Sequence, residues 1–447
     1  MSNEILNCKV NKKECFRDFS KYTTLSILGI LGVSCYILAD TFFVSKGLGT
    51  DGLTALNLAI PVYNFVFGVG LMLGVGGATK FAIYKSQGEK EAMNKSFTTT
   101  VYMAVIFGLI YVLFGLFASE GLAKLLGGEP GTYVFDMTVT YVRWLLIFAP
   151  AFILNNVFLC FMRNDEAPNL AMAGQLIGSF SNIVLDYIFI FPMNMGIFGA
   201  ILATVFSPVI SMAIMLPHKL KKKNTFHFTK KGFNLEFAKQ GLSIGFPSFI
   251  TEISLAIVMI IFNLIILRLE GNTGVAAYGV IANISIVVVA IYTGLGQGIQ
   301  PLLSSAYGRG HKKYISQILK YSMITMVSFS LVIYMVLAVF ASPIVGIFNS
   351  ENNMIMQGIA VDGMRLYFIS NLFVGFNIIL ATYFSSVEKN LPAHILTLLR
   401  GFVIIIPISF IMARLFNMTG VWLACPITEL ITAIIGFVLY KIYGKIG

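Results

Sequence analysis

Four acidic residues lie within long apolar stretches of this sequence. They are Asp40, Asp186, Glu252 and Glu429. A carboxylate inside a lipid bilayer is energetically costly, so it usually faces a protein interior or a water-filled cavity and has a functional role. Carboxylates grouped with amide and hydroxyl oxygens bind hard cations, and two carboxylates at close range can share a proton. The chemistry predicted from these residue types is cation or proton binding within a membrane.

Two of the acids are predicted to lie at the same depth, in the outer half of the bilayer. Asp40 lies near the outer end of the first predicted span, and Asp186 lies near the outer end of the fifth. Thr204 is eight residues into the sixth span, which runs inward, and this corresponds to roughly 12 Å of depth. Tyr36 and Asn182 are each four residues before an acid, on the same helix face. The five side chains are therefore predicted to form one cluster.

We expect Tyr36, Asp40, Asn182, Asp186 and Thr204 to form a coupling site for a sodium ion or a proton. Two neighbouring carboxylates in a low dielectric cannot both remain ionised cheaply, so the pair is suited to proton uptake. If sodium is the coupling ion, its predicted ligands are Asp40, Asn182, Asp186 and Thr204. The alternative is that Asp40 and Asp186 only tie helices together by hydrogen bonds. No catalytic residue and no resident cofactor are predicted.

The second half of the chain does not repeat this cluster. The position that corresponds to Asp40 is Phe262, and the counterpart of Asp186 falls among residues 408–410. The coupling site is therefore predicted in the first half alone. Glu252, five residues after Pro247, is either a cation or substrate site in the second lobe or a buried helix tie.

The elements that must position these residues are membrane-spanning helices. Hydrophobic residues make up 57% of the 447 residues and charged residues only 11%, whereas soluble domains carry roughly 25% charged residues. Long stretches carry no charge, and a helix needs about 20 apolar residues to cross a bilayer. The predicted spans are near 22–45, 53–78, 96–118, 134–158, 168–190, 196–216, 240–267, 274–300, 316–342, 358–382, 393–413 and 418–440. This predicts an all-α integral membrane protein with twelve transmembrane helices.

The basic residues predict an orientation for these spans. Of the 31 Lys and Arg residues, 25 fall in tails and loops that share one side if the N-terminus is cytoplasmic, which fits the positive-inside rule. We expect a multi-pass protein of the cytoplasmic (inner) cell membrane with both termini in the cytoplasm. The predicted domains are a tail (1–21), an N-lobe (22–216), a basic linker (217–239), a C-lobe (240–440) and a second tail (441–447).

An internal repeat divides the chain into two parallel six-helix halves. Residues 49–91 align without gaps on residues 271–313, an offset of 222. Six spans per unit is an even number, so both halves insert in the same orientation, and transporters built from such repeats carry their substrate between the halves. The matched residues are Gly49, Gly52, Ala55, Leu73, Gly74, Gly76, Gly88 and Lys90 with Gly271, Gly274, Ala277, Leu295, Gly296, Gly298, Gly310 and Lys312.

The sequence resembles the multidrug and toxic compound extrusion (MATE) transporters over nearly all of its length. The resemblance is carried by ADTFFVSKGLG (39–49), DGLTALNLAIP (51–61), GVGGATKFA (74–82), GLGQGIQPLLSSAYGRG (294–310), NIVLDYIFIF (182–191), GIFGAILAT (196–204) and GVWLACPITE (420–429). It is closest in pattern to the DinF-like and MepA-like bacterial branches, because the tenth span has no acid. The resemblance implies a two-lobe antiporter that exports lipophilic, often cationic compounds against sodium ions or protons by alternating access. In branches with an N-lobe cation site, the motif residues match Tyr36, Asp40, Asn182, Asp186 and Thr204.

Two other functions are weighed against drug export. A flippase for a lipid-linked substrate is the rival within transport, and a non-transport membrane scaffold is the rival outside it. We expect no enzyme activity, since the sequence contains no nucleotide-binding loop and no nucleophile–base pair. The expected partners are small organic, mainly cationic substrates and membrane lipids, with no nucleic acid, and the protein is expected to be a monomer.

Overall fold

The computed structural model describes residues 11–220, 223–229, 232–349 and 353–444. The outer parts of both predicted tails and four positions of the predicted linker lie outside these residues. All regular secondary structure in the described part of the chain is helical, which confirms the predicted fold class. In the first half the helices are α1 (Lys12–Gln87), α2 (Lys90–Phe117), α3 (Ser119–Leu125), α4 (Tyr133–Ile147), α5 (Ala149–Asn164), α6 (Pro168–Ile190) and α7 (Gly196–Leu220).

The second half has the same succession of helices. They are α8 (Leu235–Gly308), α9 (Lys312–Val339), α10 (Ala341–Phe348), α11 (Met354–Tyr367), α12 (Asn371–Ser386), α13 (Asn390–Leu398) and α14 (Ile405–Tyr443). A short 3-10 helix (Phe368–Ser370) joins α11 to α12, and a π-helical turn (Leu399–Val403) joins α13 to the stretch before α14. The short helices α3 and α10 were not among the predicted elements.

Three backbone breaks divide the longest helices. Gly49 has φ 66° and ψ −155° inside α1, Gly271 has φ 61° and ψ −153° inside α8, and Asn417 has φ 50° inside α14. Only glycine adopts the conformation of Gly49 and Gly271 without strain. At 76 residues, α1 is far longer than the roughly 30 Å apolar core of a bilayer. It therefore comprises two spans.

The predicted number of twelve spans agrees with these helices. Nine segments of the described chain are long and apolar enough to cross a membrane when α4 and α5, bent by 49°, count as one. The breaks in α1, α8 and the α13–α14 segment each divide one of the nine in two. The predicted separations near residues 192–196 and 414–420 coincide with the gap before α7 and with Asn417.

The backbone conformation repeats along with the sequence. Helices α2 and α9 are both 28 residues long, and they begin at positions that are paired in the sequence alignment. Positive φ angles occur at Gly88 and Gly310, and at Glu166 and Glu388, and each pair is separated by the same 222 positions. The two halves are therefore structural repeats as well as sequence repeats.

The chain forms two compact units. Of the residues that the structure describes, the N-unit comprises those within Thr24–Ile253 and Ser304–Gly310, and the C-unit comprises those within Met1–Thr23, Ser254–Leu303 and His311–Gly447. The first part of α8, up to Ile253, therefore belongs to the N-unit. It packs there at very short range, because a Cβ atom added to Gly76 would lie 1.9 Å from the carbonyl oxygen of Gly241.

The described part of the predicted linker is folded against the N-unit. Phe226 is buried, and its ring centroid lies 4.6 Å from that of Phe97. Polar side chains of α2 accept hydrogen bonds from linker backbone amides, since Asn94 Oδ1 accepts from His227 N at 2.8 Å and Thr98 Oγ1 from Thr229 N at 3.0 Å. This segment is thus a fixed part of the N-unit.

Asp165, the residue that follows α5, binds the linker to three helices. Its side chain is fully buried and accepts hydrogen bonds from Lys85 Nζ at 2.9 Å and from Thr225 N at 3.0 Å. The Thr225 hydroxyl donates to the same carboxylate. His218 Nε2 lies 3.0 Å from Asp165 Oδ2. The carboxylate therefore joins the ends of α1, α5 and α7 to the linker.

Candidate cation site

Three helices of the N-unit hold the five residues of the predicted cluster. Tyr36 and Asp40 lie on the first part of α1, Asn182 and Asp186 on α6, and Thr204 on α7. All five are buried, with exposed fractions of 7% and 6% for Tyr36 and Asp40, 0% for Asn182 and Asp186, and 2% for Thr204. Burial of this many polar groups in an apolar helix bundle requires that they interact with one another or with a ligand.

Close helix packing brings these side chains together. A Cβ added to Gly178 on α6 would lie 2.9 Å from the carbonyl oxygen of Ser207 on α7. On the other side of α6, a Cβ added to Gly32 of α1 would lie 2.7 Å from Leu176 Cδ2. Small residues allow helix backbones to approach closely in membranes. The glycines thus place α1 and α7 near enough to α6 for their side chains to reach a shared site.

Asn182 links Asp186 to α7. In the amide orientation that satisfies both of its polar atoms, Asn182 donates to Asp186 Oδ2 at 3.1 Å and accepts from Thr204 N at 3.2 Å. The hydroxyl of Thr204 donates to Ala200 O at 3.1 Å. A lone pair of the Thr204 oxygen and the free oxygens of the acids remain available to a ligand.

Each acid has one oxygen that lacks a hydrogen-bond partner among the described residues. These are Asp40 Oδ1 and Asp186 Oδ1, and the two carboxylates are close enough to interact electrostatically. A buried acceptor without a partner costs roughly 1–3 kcal/mol, and more if it is charged. Two negative charges here would also repel each other at short range. A bound cation or a proton would satisfy these oxygens and remove the repulsion.

Two tyrosines that were not among the predicted site residues also lie at the site. The Tyr63 hydroxyl is hydrogen-bonded to that of Tyr36, with 2.5 Å between the oxygens. The buried side chain of Tyr141, on α4, hydrogen-bonds to Thr204 and interacts electrostatically with Asp40 and with Tyr36. Both lie within predicted spans, but an apolar span does not reveal which way a tyrosine points.

Glu252 packs within the N-unit. It is half-buried on the first part of α8, and a Cβ added to Gly68 of α1 would lie 3.3 Å from Glu252 Cβ. It interacts electrostatically with Tyr63. Its neighbours named here are therefore residues of the first half, although the sequence predicts its segment to be part of the C-lobe.

The corresponding positions of the C-unit are apolar or internally paired. Phe262 is buried and its ring stacks on Tyr278, with centroids 5.4 Å apart. Ser409 is buried and donates to Ile405 O within its own helix. The buried acid of this unit, Glu429, forms an ion pair with Arg400 at 2.8 Å and accepts from Asn377 Nδ2 at 2.7 Å. Its charge is thus neutralised by another residue of the chain.

The model of a transporter family described as MatE matches residues 26–188 and 247–411. These two ranges together cover more than half of the chain, one in each half. The multidrug export protein MepA of Staphylococcus saprophyticus is 27% identical over 427 residues, which are 95% of this chain and 93% of that protein.

Solved structures show the same fold. The crystal structure of MATE in complex with MaL6 has a TM-score of 0.90 at 24% identity, covering 98% of this chain and 97% of that one. An outward-facing multidrug resistance MATE family transporter of the MOP superfamily has a TM-score of 0.89 with the same identity and coverage.

Proposed function

Because this chain belongs to the MatE family of membrane transporters, we propose that it is a secondary active multidrug exporter of the cytoplasmic membrane. It exchanges lipophilic or cationic organic compounds for sodium ions or protons by alternating access. Export of drugs is supported by the relatives named multidrug export protein MepA, which match 95% of the chain. Ion coupling is supported by the buried acid pair with one unpartnered oxygen on each residue.

The proposed coupling ion binds at Asp40 and Asp186. The donor set of two carboxylates, the Asn182 amide and the Thr204 hydroxyl consists of oxygens, which suits a hard cation such as sodium. The same carboxylates can accept a proton, which removes one negative charge and supplies a donor for the other acid. Either ion replaces the same missing positive charge, so the site supports both forms of coupling.

Coupling requires that the ion bind the two conformational states with different affinities. A ligand that binds two states equally cannot change their populations. The proposed site joins α1, α6 and α7, so ion binding stabilises one packing of these three helices. Exchange follows if the state with the ion bound and the state with the drug bound expose their sites to opposite sides of the membrane.

The ion pair of Glu429 supports a coupling site in the N-unit alone. Arg400 already supplies the positive charge that a coupling ion would bring. A membrane scaffold would gain nothing from the unpartnered acids, since Asn or Ser could tie the helices without the cost of burying a charge.

The substitution Asp40→Asn tests this proposal. Asparagine keeps the volume of the aspartate, so the packing of α1 on α6 is expected to be preserved while the negative charge is lost. We expect gradient-driven ethidium uptake into inverted membrane vesicles to fall to the background level, with unchanged protein abundance. The matched control is Asp51→Asn, an exposed aspartate of the same helix, which is expected to transport normally.

Normal uptake by a well-expressed Asp40→Asn variant would refute the coupling role. Loss of the variant from the membrane would instead favour the helix tie. Absence of ethidium uptake in the unsubstituted protein, together with transfer of a lipid-linked sugar across the membrane, would favour a flippase.

A further inference from the structure

The described part of the basic linker lies on one face of α2. His227 N donates to Asn94 Oδ1 at 2.8 Å, and Thr229 N donates to Thr98 Oγ1 at 3.0 Å. Asn94 and Thr98 are four residues apart, so they lie on the same face of the helix. The next residue of this face is Tyr102, which is 47% exposed. The linker thus covers the first turns of a face whose later turns are exposed.

The exposed part of this face is suited to contact with lipid. Its residues beyond Tyr102 are apolar and exposed, and they include Val105, Ile106, Leu109, Ile110 and Leu113. The sequence has no charge between Lys95 and Glu120, as expected of a helix that crosses the apolar core of a bilayer. Thr98 is the third residue of this charge-free stretch. The linker therefore crosses α2 at the predicted boundary of the apolar core.

The linker carries both an aromatic ring and positive charge to this boundary. Phe228 is 57% exposed, although its ring centroid lies 5.0 Å from that of Phe97. Lys223 is exposed as well. Five further lysines flank this segment in the sequence, at positions 219, 221, 222, 230 and 231, and no acid occurs within 218–231. These lysines contribute charge whatever their conformation.

The acids at the neighbouring helix ends offset only part of this charge. Glu91 forms an ion pair with Lys95 at 2.9 Å, and the buried Asp165 forms one with Lys85 at 2.9 Å. Three further acids are exposed at these helix ends, namely Glu89, Glu166 and Glu236. The six lysines of the linker outnumber them, so the surface of the linker is positively charged.

The repeated helix of the second half is not covered in this way by the described residues. At the offset of 222, Asn94 and Thr98 correspond to Ser316 and Lys320 of α9. Both of these residues are exposed. The cover on α2 is therefore a feature of the N-unit, and the repeated fold does not require it.

We propose that the linker surface at Lys223 and Phe228 binds an anionic phospholipid of the surrounding bilayer. Apolar side chains of interfacial segments insert at the boundary between headgroups and acyl chains, where the exposed Phe228 ring is predicted to lie. Lysines next to a span on its predicted cytoplasmic side attract anionic headgroups of that leaflet. A nucleic acid would be attracted by the same charge, but it would not contact a ring at the edge of the apolar core. The lipid site goes beyond the proposed drug export and does not depend on it.

Lipid binding by the detergent-solubilised full chain tests this surface. The probes are phosphatidylglycerol, which is anionic, and phosphatidylcholine, which has no net charge, and native mass spectrometry measures the affinity for each. A lysine near an anionic lipid surface contributes roughly fivefold in affinity. We therefore expect Lys221→Gln/Lys222→Gln/Lys223→Gln to bind phosphatidylglycerol at least about tenfold more weakly, with unchanged binding of phosphatidylcholine. The matched control is Lys312→Gln/Lys313→Gln/Lys320→Gln in α9, which should keep the affinity of the unsubstituted protein.

A fluorescence measurement tests where the Phe228 side chain lies. Phe228→Trp is reconstituted into lipid nanodiscs whose phosphatidylglycerol carries bromine on the acyl chains near the headgroup. The unsubstituted protein, with its two tryptophans, gives the baseline. We expect the added fluorescence to be quenched by the brominated lipid and to be protected from iodide in the water. Quenching by iodide and not by the lipid would overturn the proposal, because the ring would then face water. This variant keeps every lysine, so it tests the site even if the triple lysine variant does not fold.

Three results of the binding measurement would also overturn the proposal. Equal loss of phosphatidylglycerol binding in the two triple variants would show a general effect of charge that is not specific to the linker. Equal affinity of the unsubstituted protein for the two lipids would show that the anionic headgroup is not selected. Displacement of bound phosphatidylglycerol by a short oligonucleotide or by inorganic phosphate would assign the lysines to a nucleic acid or to a free anion.

Discussion

Buried carboxylates occur in both units of this protein, and they differ in how their charge is compensated. Asp40 and Asp186 each keep an oxygen that lacks a partner among the described residues. Glu429 has a guanidinium at 2.8 Å and an amide at 2.7 Å. The first two carboxylates therefore lack a compensating partner among the described residues, whereas the Glu429 carboxylate has one. Under the proposed coupling, buried acids serve exchange in the N-unit and helix packing in the C-unit.

A substitution series on the Glu429 ion pair tests its structural role. Removing one partner of a buried pair typically costs about 3–5 kcal/mol, whereas replacing both by apolar residues is often neutral. We therefore expect Arg400→Met to lower the thermal unfolding temperature of the detergent-solubilised protein strongly. The double variant Arg400→Met/Glu429→Leu should recover most of the loss. The second single variant is Glu429→Leu. If the stability loss of the double variant equals the sum of the losses of the two single variants, the two residues are not coupled.

Transport measurements can compare corresponding positions of the two halves. Asp186→Asn should abolish gradient-driven ethidium export if the Asp186 carboxylate belongs to the proposed coupling site. Ser409→Ala lies in the corresponding part of the second half and removes only a bond within its own helix, so export should continue. Rates from vesicles, normalised to protein abundance, provide the measurement. Equal losses in the two variants would contradict a coupling site confined to the first half.

At the scale of elements, span positions could be predicted from the sequence, but side-chain directions could not. Charge-free stretches and the glycine repeat identify twelve spans because lipid imposes their length and composition. A helix that is apolar all round gives no periodic signal for the face that points inward. Asp40 and Asp186 stand out in the sequence because they are acids within apolar spans. Their predicted depth in the bilayer is then enough to group them as one candidate site. Tyr63 and Tyr141 carry no such mark among the 19 tyrosines of the chain.

The placement of Glu252 illustrates a second limit. Its position in the chain, after the linker, suggests the second half, and the packing that places it in the N-unit arises from backbone contact near Gly76 and Gly241. Glycine spacing in two distant helices does not reveal that the helices meet. Contacts between segments far apart in sequence therefore had to come from the structure.

The contacts of Asp165 lead to a prediction about how the linker is attached to the N-unit. Asp165→Asn removes the charge that binds Lys85 and weakens the hydrogen bonds to Thr225, so the segment 223–229 should detach from the N-unit. We expect trypsin to cleave the purified Asp165→Asn variant faster than the unsubstituted protein in the lysine-rich stretch 219–231. Gel analysis of the digests measures the cleavage rate. The control is Glu166→Gln, whose side chain is 76% exposed and lies 3.3 Å from the same lysine. Equal cleavage rates in the two variants would show that Asp165 does not hold the linker.

At the scale of the whole molecule, the positive-inside rule predicts sidedness. In a background without the five native cysteines, a cysteine at position 51 should react with an impermeant maleimide applied to whole cells. A cysteine at position 223 should react only after the membrane is opened, because the basic linker is predicted to be cytoplasmic. Labelling at position 223 from outside would invert the topology.

The Asp40–Asp186 pair has unpartnered oxygens, whereas Glu429 is paired with Arg400. Under the proposed coupling, this difference limits the free energy that each transport cycle can draw from the proton gradient. Under the proposed coupling, one proton entering for each singly charged organic cation leaving moves no net charge, and only the pH difference supplies free energy. Two protons would make the exchange electrogenic and add about 2.3 kcal/mol for each 100 mV of membrane potential. Arg400 keeps Glu429 out of this count. The stoichiometry, and with it the steepest drug gradient that the membrane voltage can sustain, is then set by how many protons Asp40 and Asp186 take up together.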